Sequence, residues 1–189
     1  MSDFKITKEL IQKAKDRAAC SDAIEWLEEK ERTWLELKSE NLGWAVWGMI
    51  EIKDIPIYLT GLDQWDCAKV MIKRPDCPID LDGLSSGNRA RVMINRPDCQ
   101  IDLTGLGSYD RANVMVSRSD CPIDLTGLSS DDRALVMANR PDCPIDLTGL
   151  DPFNRAWVMA NRPGCPIDLD GLDPDDRAWV VKKRGLKNE

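Results

Sequence analysis

The sequence predicts a mainly α protein: a solenoid of stacked 22-residue units preceded by an amino-terminal helical cap. Three observations point there. Cys77, Cys99, Cys121, Cys143 and Cys165 recur at every twenty-second position, and the stretches between them match column by column. Every unit carries one set of helix start and stop signals. The segment 1–54 lacks this period but contains short amphipathic stretches rich in tryptophan.

In chain order, "TKELIQKAKDRAA", "SDAIEWLEEKE", "RTWLELKSE" and "NLGWAVWGMIEI" read as three or four short helices carrying Trp26, Trp34, Trp44 and Trp47. A solenoid exposes an apolar end face unless something covers it, so the segment 1–54 is expected to form that cover. The array itself occupies 55–189 and begins with a copy, "IPIYLTGLDQWDCAKVMIKRPD", in which Ile55 takes the place of the cysteine. That makes six units.

With the cysteine as position 0, all units share Ile at +2, Leu at +4, Gly at +6, Leu at +7, Ala at +13, Val at +15 and Arg at +19. Helix-start chemistry opens at +8, in "SSDD" at 129, "DPFN" at 151 and "DPDD" at 173, where Ser or Asp caps and Pro takes the first turn. A helix of about ten residues follows, with +13, +16 and +17 (Ala134, Met137, Ala138) on one face. It stops at "NRPDCP", where proline cannot continue it and the +19 Arg suits the carbonyl end of the dipole. The remaining "CPIDLTGL" is too short and too rich in Pro and Gly for a second α-helix, so a 3₁₀ turn or a very short strand is expected. At the far end Lys182 replaces the apolar side chain at +17, as a polar carboxy-terminal cap requires.

The stretch "RALVMANRPDCPIDL" resembles the leucine-rich repeat variant, whose units run roughly V-R-x-A-V-A-x-N-P-x-C-P-x-x-L. That resemblance covers about two thirds of the chain. It implies a right-handed superhelix alternating α and 3₁₀ helices, and a scaffold with no activity of its own. The unit here is shorter than is usual in that family, and has Gly at +6 where the family continues its second helix. The leading segment, "ACSDAIEWLEEKERTWLELKSENLGWAVW", looks like the start of many uncharacterised phage and bacterial repeat proteins.

Composition narrows the function classes. With 33 acidic against 26 basic side chains the net charge is −7, which disfavours direct nucleic-acid binding. No run of about 18 apolar residues exists, and the amino terminus has no apolar core stretch, so no membrane span or signal peptide is read. A cytoplasmic protein is expected, in the host cytoplasm if it is phage-encoded. There is no histidine and no C-x-x-C pair, so no metal site and no cofactor is expected. The cysteine column is read as small buried hydrophobes, a role that Ile55 fills equally well.

Two charged columns are read structurally. Asp at +3 and Arg at +12 are both missing from the first unit, where Tyr58 and Cys67 stand, and this is taken to mean pairing within a unit. The +19 arginines are assigned to helix ends. Catalysis is not expected, because a translationally repeated pair gives no distinct acid and base environments.

Function is therefore sought where the copies differ. Position +14 reads Lys69, Arg91, Asn113, Leu135, Trp157, Trp179, and Phe153 at +10 lies one turn before Trp157. Leu135, Phe153, Trp157 and Trp179 are the expected contact residues for a protein partner, with a homodimer, or packing of these rings over the edge of the core, as open alternatives. A second reading makes the protein an acidic inhibitor of a nucleic-acid-binding enzyme, possibly of the anti-defence kind, acting through Asp110, Asp131, Asp132, Asp151, Asp173, Asp175 and Asp176.

Overall fold

The computed structural model describes residues 4–29 and 31–186, and these form two compact units that divide between Leu84 and Ser85. The architecture is mainly helical, and within each unit helices pack on their neighbours in sequence.

In the first unit, strands β1 (Lys5–Ile6) and β2 (Arg32–Thr33) pair antiparallel around helices α1 (Lys8–Asp16) and α2 (Ser21–Glu28). Helices α3 (Trp34–Glu40), α4 (Leu42–Glu51) and α5 (Gln64–Lys73) follow. Thr7 caps α1, and Thr33 forms a capping box with Glu36 at the start of α3. The fully buried Trp34 anchors this unit, with Leu37, Ala45, Val46 and Met49 buried around it.

The repeat period reaches further back than the cysteine column shows. The Arg74 guanidinium donates to the carbonyls of Met49, Ile52, Lys53 and Ile55, so α4 serves as the helix that an arginine of the repeat clamps. The Tyr58 amide donates to the Met49 sulfur at 3.4 Å, a bond that recurs later in the chain. Met49 lies one full period before Met71 and is the signal in the sequence for this extra helix. Gly48 stands where the repeat has Val, because a Cβ there would sit 3.3 Å from Ile55 Cδ1 and 3.4 Å from the Trp34 ring.

The second unit is a stack of α6 (Ser86–Asn95), α7 (Ser108–Ser117), α8 (Ser130–Asn139), α9 (Pro152–Asn161) and α10 (Pro174–Arg184). Side-chain caps close α8, α9 and α10 through Ser129, Asp151 and Asp173, each accepting from an amide three residues on. Ala at +13, Val at +15 and Met at +16 are fully buried in α7, α8 and α9, because each helix is flanked by one neighbour on either side. At +17 Ala160 is buried but Val116 and Ala138 are only half-buried, so the core face centres on +15 and +16.

The connecting segment is neither 3₁₀ helix nor strand, which corrects the expectation for "CPIDLTGL". It is an extended run between two tight turns. The first closes from Cys121 N to Arg118 O at 3.0 Å around Ser119 and Asp120. The second closes from Leu128 N to Leu125 O at 3.2 Å and carries Gly127 at φ 71°, the positive φ that a type II turn demands at its third position. Glycine at +6 breaks the chain where a second helix would have continued.

Three bonds repeat from one helix to the next. The +19 arginine reaches back to the preceding helix: Arg118 donates to the carbonyls of Met93 and Arg96 at 2.6 and 3.0 Å, and then to Pro97 and Cys99. It is thus the preceding helix, more than its own, whose carbonyl end it satisfies. Asp120 holds the guanidinium from the other side by two bonds of 2.8 and 2.7 Å. Secondly, the buried Met sulfur accepts an amide of the next connecting segment, as Met137 does from Asp146 at 3.4 Å.

The third bond overturns an expectation. Arg at +12 pairs with Asp at +3 of the following unit, not of its own: Arg89 with Asp102, Arg111 with Asp124 at 3.1 Å, Arg155 with Asp168 at 3.2 Å. Asp80 does face a Cys67 and not an arginine, the very mismatch that pairing across units entails. Its carboxylate is exposed, so the mismatch buries no charge, and it accepts the Asp82 amide at 3.0 Å as the +3 aspartates of the later units accept theirs.

Candidate protein-binding face

The outward face of the second unit is set by the helical spacing that buries +13, +15 and +16. Positions +10, +14 and +18 follow one another at intervals of four on the opposite side. At +18, Asn139 donates to Leu135 O and Asn161 to Trp157 O, both at 2.8 Å, so these amides close their own helix ends. The row free to vary is +10 with +14.

Along that row Phe153 is 62% exposed, while Leu135, Trp157 and Trp179 are half-buried or exposed to a lesser degree than the ring of Phe153. Each of the last three therefore keeps one edge against its own stack and shows the other to solvent. The sequence reading missed Tyr109, which is 68% exposed at +10 of α7. Its signal was its register with Phe153, two units later. Between and beyond them at +10 stand Asp131 and Asp175, both exposed, so the row alternates aromatic and acid: Tyr109, Asp131, Phe153, Asp175.

The seven acids of the second reading divide sharply. Asp132 is 8% exposed and accepts from the Ser108 and Ser129 hydroxyls, which removes it from any acidic surface. Asp110 is half-buried and accepts from Ser86. Asp151 and Asp173 are spent on helix caps, Asp151 also accepting from Ser130. Asp131 accepts from Asn154 at 2.6 Å. Asp176 is half-buried, and burial with Asp173 beside it pushes its carboxyl upward; Asp175 is exposed.

These contacts form a polar ladder that the sequence reading did not find. Ser at +9 accepts the next unit's +8 amide, as Ser108 does from Ser129 N at 2.9 Å, and donates to an aspartate at that unit's +11, as Ser108 does to Asp132. Ser130 continues it to Asp151 and Asn154. At +11 the aspartates Asp110 and Asp132 accept from the serine of the preceding unit, whereas Asn154 donates through its amide nitrogen to Ser130, Asp131 and Asp151.

The cysteine thiols at 99, 121, 143 and 165 are buried, and burial pushes all four up from the ordinary thiol range. Each Sγ faces the carbonyl of the next residue at 3.4–3.5 Å. A protonated, buried thiol is a poor nucleophile.

No protein-family model, curated protein or solved structure matches this chain. Among the described residues no helix is long and apolar enough to cross a membrane.

Proposed function

We propose that the protein is a non-enzymatic scaffold, a right-handed solenoid of six repeats of the leucine-rich repeat variant kind, that binds a protein partner through the outward row of its second unit. The observation that carries this reading is the exposure of Tyr109 and Phe153 on a surface whose other repeated residues are largely committed to internal bonds. Aromatic side chains beside the exposed Asp175 suit a partner that presents cationic side chains between apolar ones. Leu135, Trp157 and Trp179 widen the contact at +14. A protein partner at this row, in the cytoplasm, is the working assignment.

The nucleic-acid-mimic reading draws less support, because Asp132, Asp110, Asp151, Asp173 and Asp131 all serve contacts inside the stack. The test uses the whole chain as bait in a lysate of the source cell, beside a Phe153→Ala, Tyr109→Ala double variant. A partner retained by the parent and lost by the variant supports the row. Equal retention by both places the contact elsewhere, and concentration-dependent sedimentation of the protein alone makes the row a self-association surface.

A further inference from the structure

The first unit contains a feature that the binding row does not use. The indole N–H of Trp34 is buried, in a side chain 2% exposed, and has no hydrogen-bond partner among the described residues. Buried donors are nearly always paired, so such a group calls for an explanation. Trp34 lines a cavity of about 30 Å³ together with Leu10, Leu37, Ile52 and Ile55. Against one wall of it lies a more open cleft of about 280 Å³ between the α1–α2 turn and α4, and the two share Ala19, Ala23, Trp44 and Trp47.

A water molecule is a poor occupant. The inner cavity has room for one or two, but a buried water needs about two to four polar partners and the remaining lining is apolar side chains. An acceptor atom carried on an apolar body has no such need. The inner space has room for a carbonyl group, and the outer cleft, lined by Trp44 and Trp47, has room for an aromatic ring.

We propose that the first unit binds a small, flat, apolar molecule with a single hydrogen-bond acceptor, its ring in the Trp44–Trp47 cleft and its acceptor on the Trp34 indole N–H.

The test titrates the full chain with acetophenone and, separately, with ethylbenzene, which has the same shape without the acceptor. The indole N–H resonances are followed by NMR, and Trp34 is assigned by its loss in Trp34→Phe. The expected result is a saturable downfield shift of the Trp34 N–H with acetophenone only, and binding about tenfold tighter than that of ethylbenzene, the worth of one hydrogen bond. Ala19→Leu, which fills the shared wall and keeps the indole, is expected to abolish the shift while the other indole signals stay in place. The proposal is overturned if neither compound moves the Trp34 signal, if both bind equally well, if Ala19→Leu binds as the parent does, or if the free protein's Trp34 N–H shows contact with water.

Discussion

The guanidinium of Arg118 donates to the carbonyl oxygen of Met93 at 2.6 Å, from 25 residues further along the chain. This bond joins the helix end of one repeat to the helix end of the one before. Arg118 is 7% exposed, and its other donors go to Arg96, Pro97, Cys99 and Asp120. Lysine has neither the planar fork nor the number of donors to replace it. Arg118→Ala is expected to lower stability in urea unfolding by about 3 kcal/mol, since it orphans several carbonyls at once, and Arg118→Lys by nearly as much. A change below about 1 kcal/mol in both variants would show that water satisfies the same carbonyls.

Ala18 sits at φ 58°, the left-handed region, just past α1. Its amide donates to Lys15 O and that of Ala19 to Ala14 O, both at 3.0 Å, the bond pattern of a helix end that ordinarily uses glycine. An L side chain in this conformation costs about 1 kcal/mol. Ala18→Gly is therefore expected to raise the thermal midpoint by a few degrees, a direction opposite to most glycine substitutions; a lower midpoint would refute the strain.

The aspartates that grip the clamp arginines set an acid limit. Arg74 holds the Asp76 carboxyl at about 2, and Arg118 and Arg140 hold Asp120 and Asp142 below the usual carboxylate range. A carboxylate whose folded pKa is depressed adds stability above its unfolded pKa of about 3.9 and loses it as pH falls through the folded value. Stability should accordingly be level near neutrality and fall between about pH 4 and 2. Asp120→Asn with Asp142→Asn should flatten that fall in urea midpoints measured against pH, and an unchanged slope would assign it to other carboxylates.

Thiol accessibility follows burial. Cys20 is exposed and Cys67 half-buried, while Cys77, Cys99, Cys121, Cys143 and Cys165 are buried. Titration with a thiol-specific disulfide reagent should give one fast thiol, one slower, and five that react only in denaturant. Rapid reaction of more than two would mean that the stack opens readily.

Much of this fold was legible in the sequence because a repeat writes its core many times over. Ala134, Val136, Met137 and Cys143 recur in register, and recurrence separates buried positions from free ones without any comparison between proteins. Charged contacts were less legible. Asp124 and Arg133 belong to one unit in the sequence, yet Asp124 pairs with Arg111 of the unit before it, because stacking brings the end of one repeat beside the start of the next. Nothing in the sequence singles out Ser108, because its bond to Asp132 depends on a neighbour 24 residues away. Likewise α4 shares only Met49 with the repeat at its buried centre, so its equivalence shows in the bonds of Arg74 and hardly in letters. In the binding row, the exposure of Phe153 agreed with its helical position, whereas Trp157 keeps part of its large ring against the stack, which a wheel of Cα positions does not register.

The central claim is that repeated residues maintain the stack and the outward aromatic row binds. Its most direct measurement compares Phe153→Ala with Arg118→Ala, by urea unfolding and by affinity for the captured partner. Phe153→Ala should stay within about 0.5 kcal/mol of the parent in stability and lose at least about tenfold in affinity, whereas Arg118→Ala should lose stability first. Full affinity in Phe153→Ala, or a stability loss as large as that of Arg118→Ala, would contradict the division between the two sets of residues.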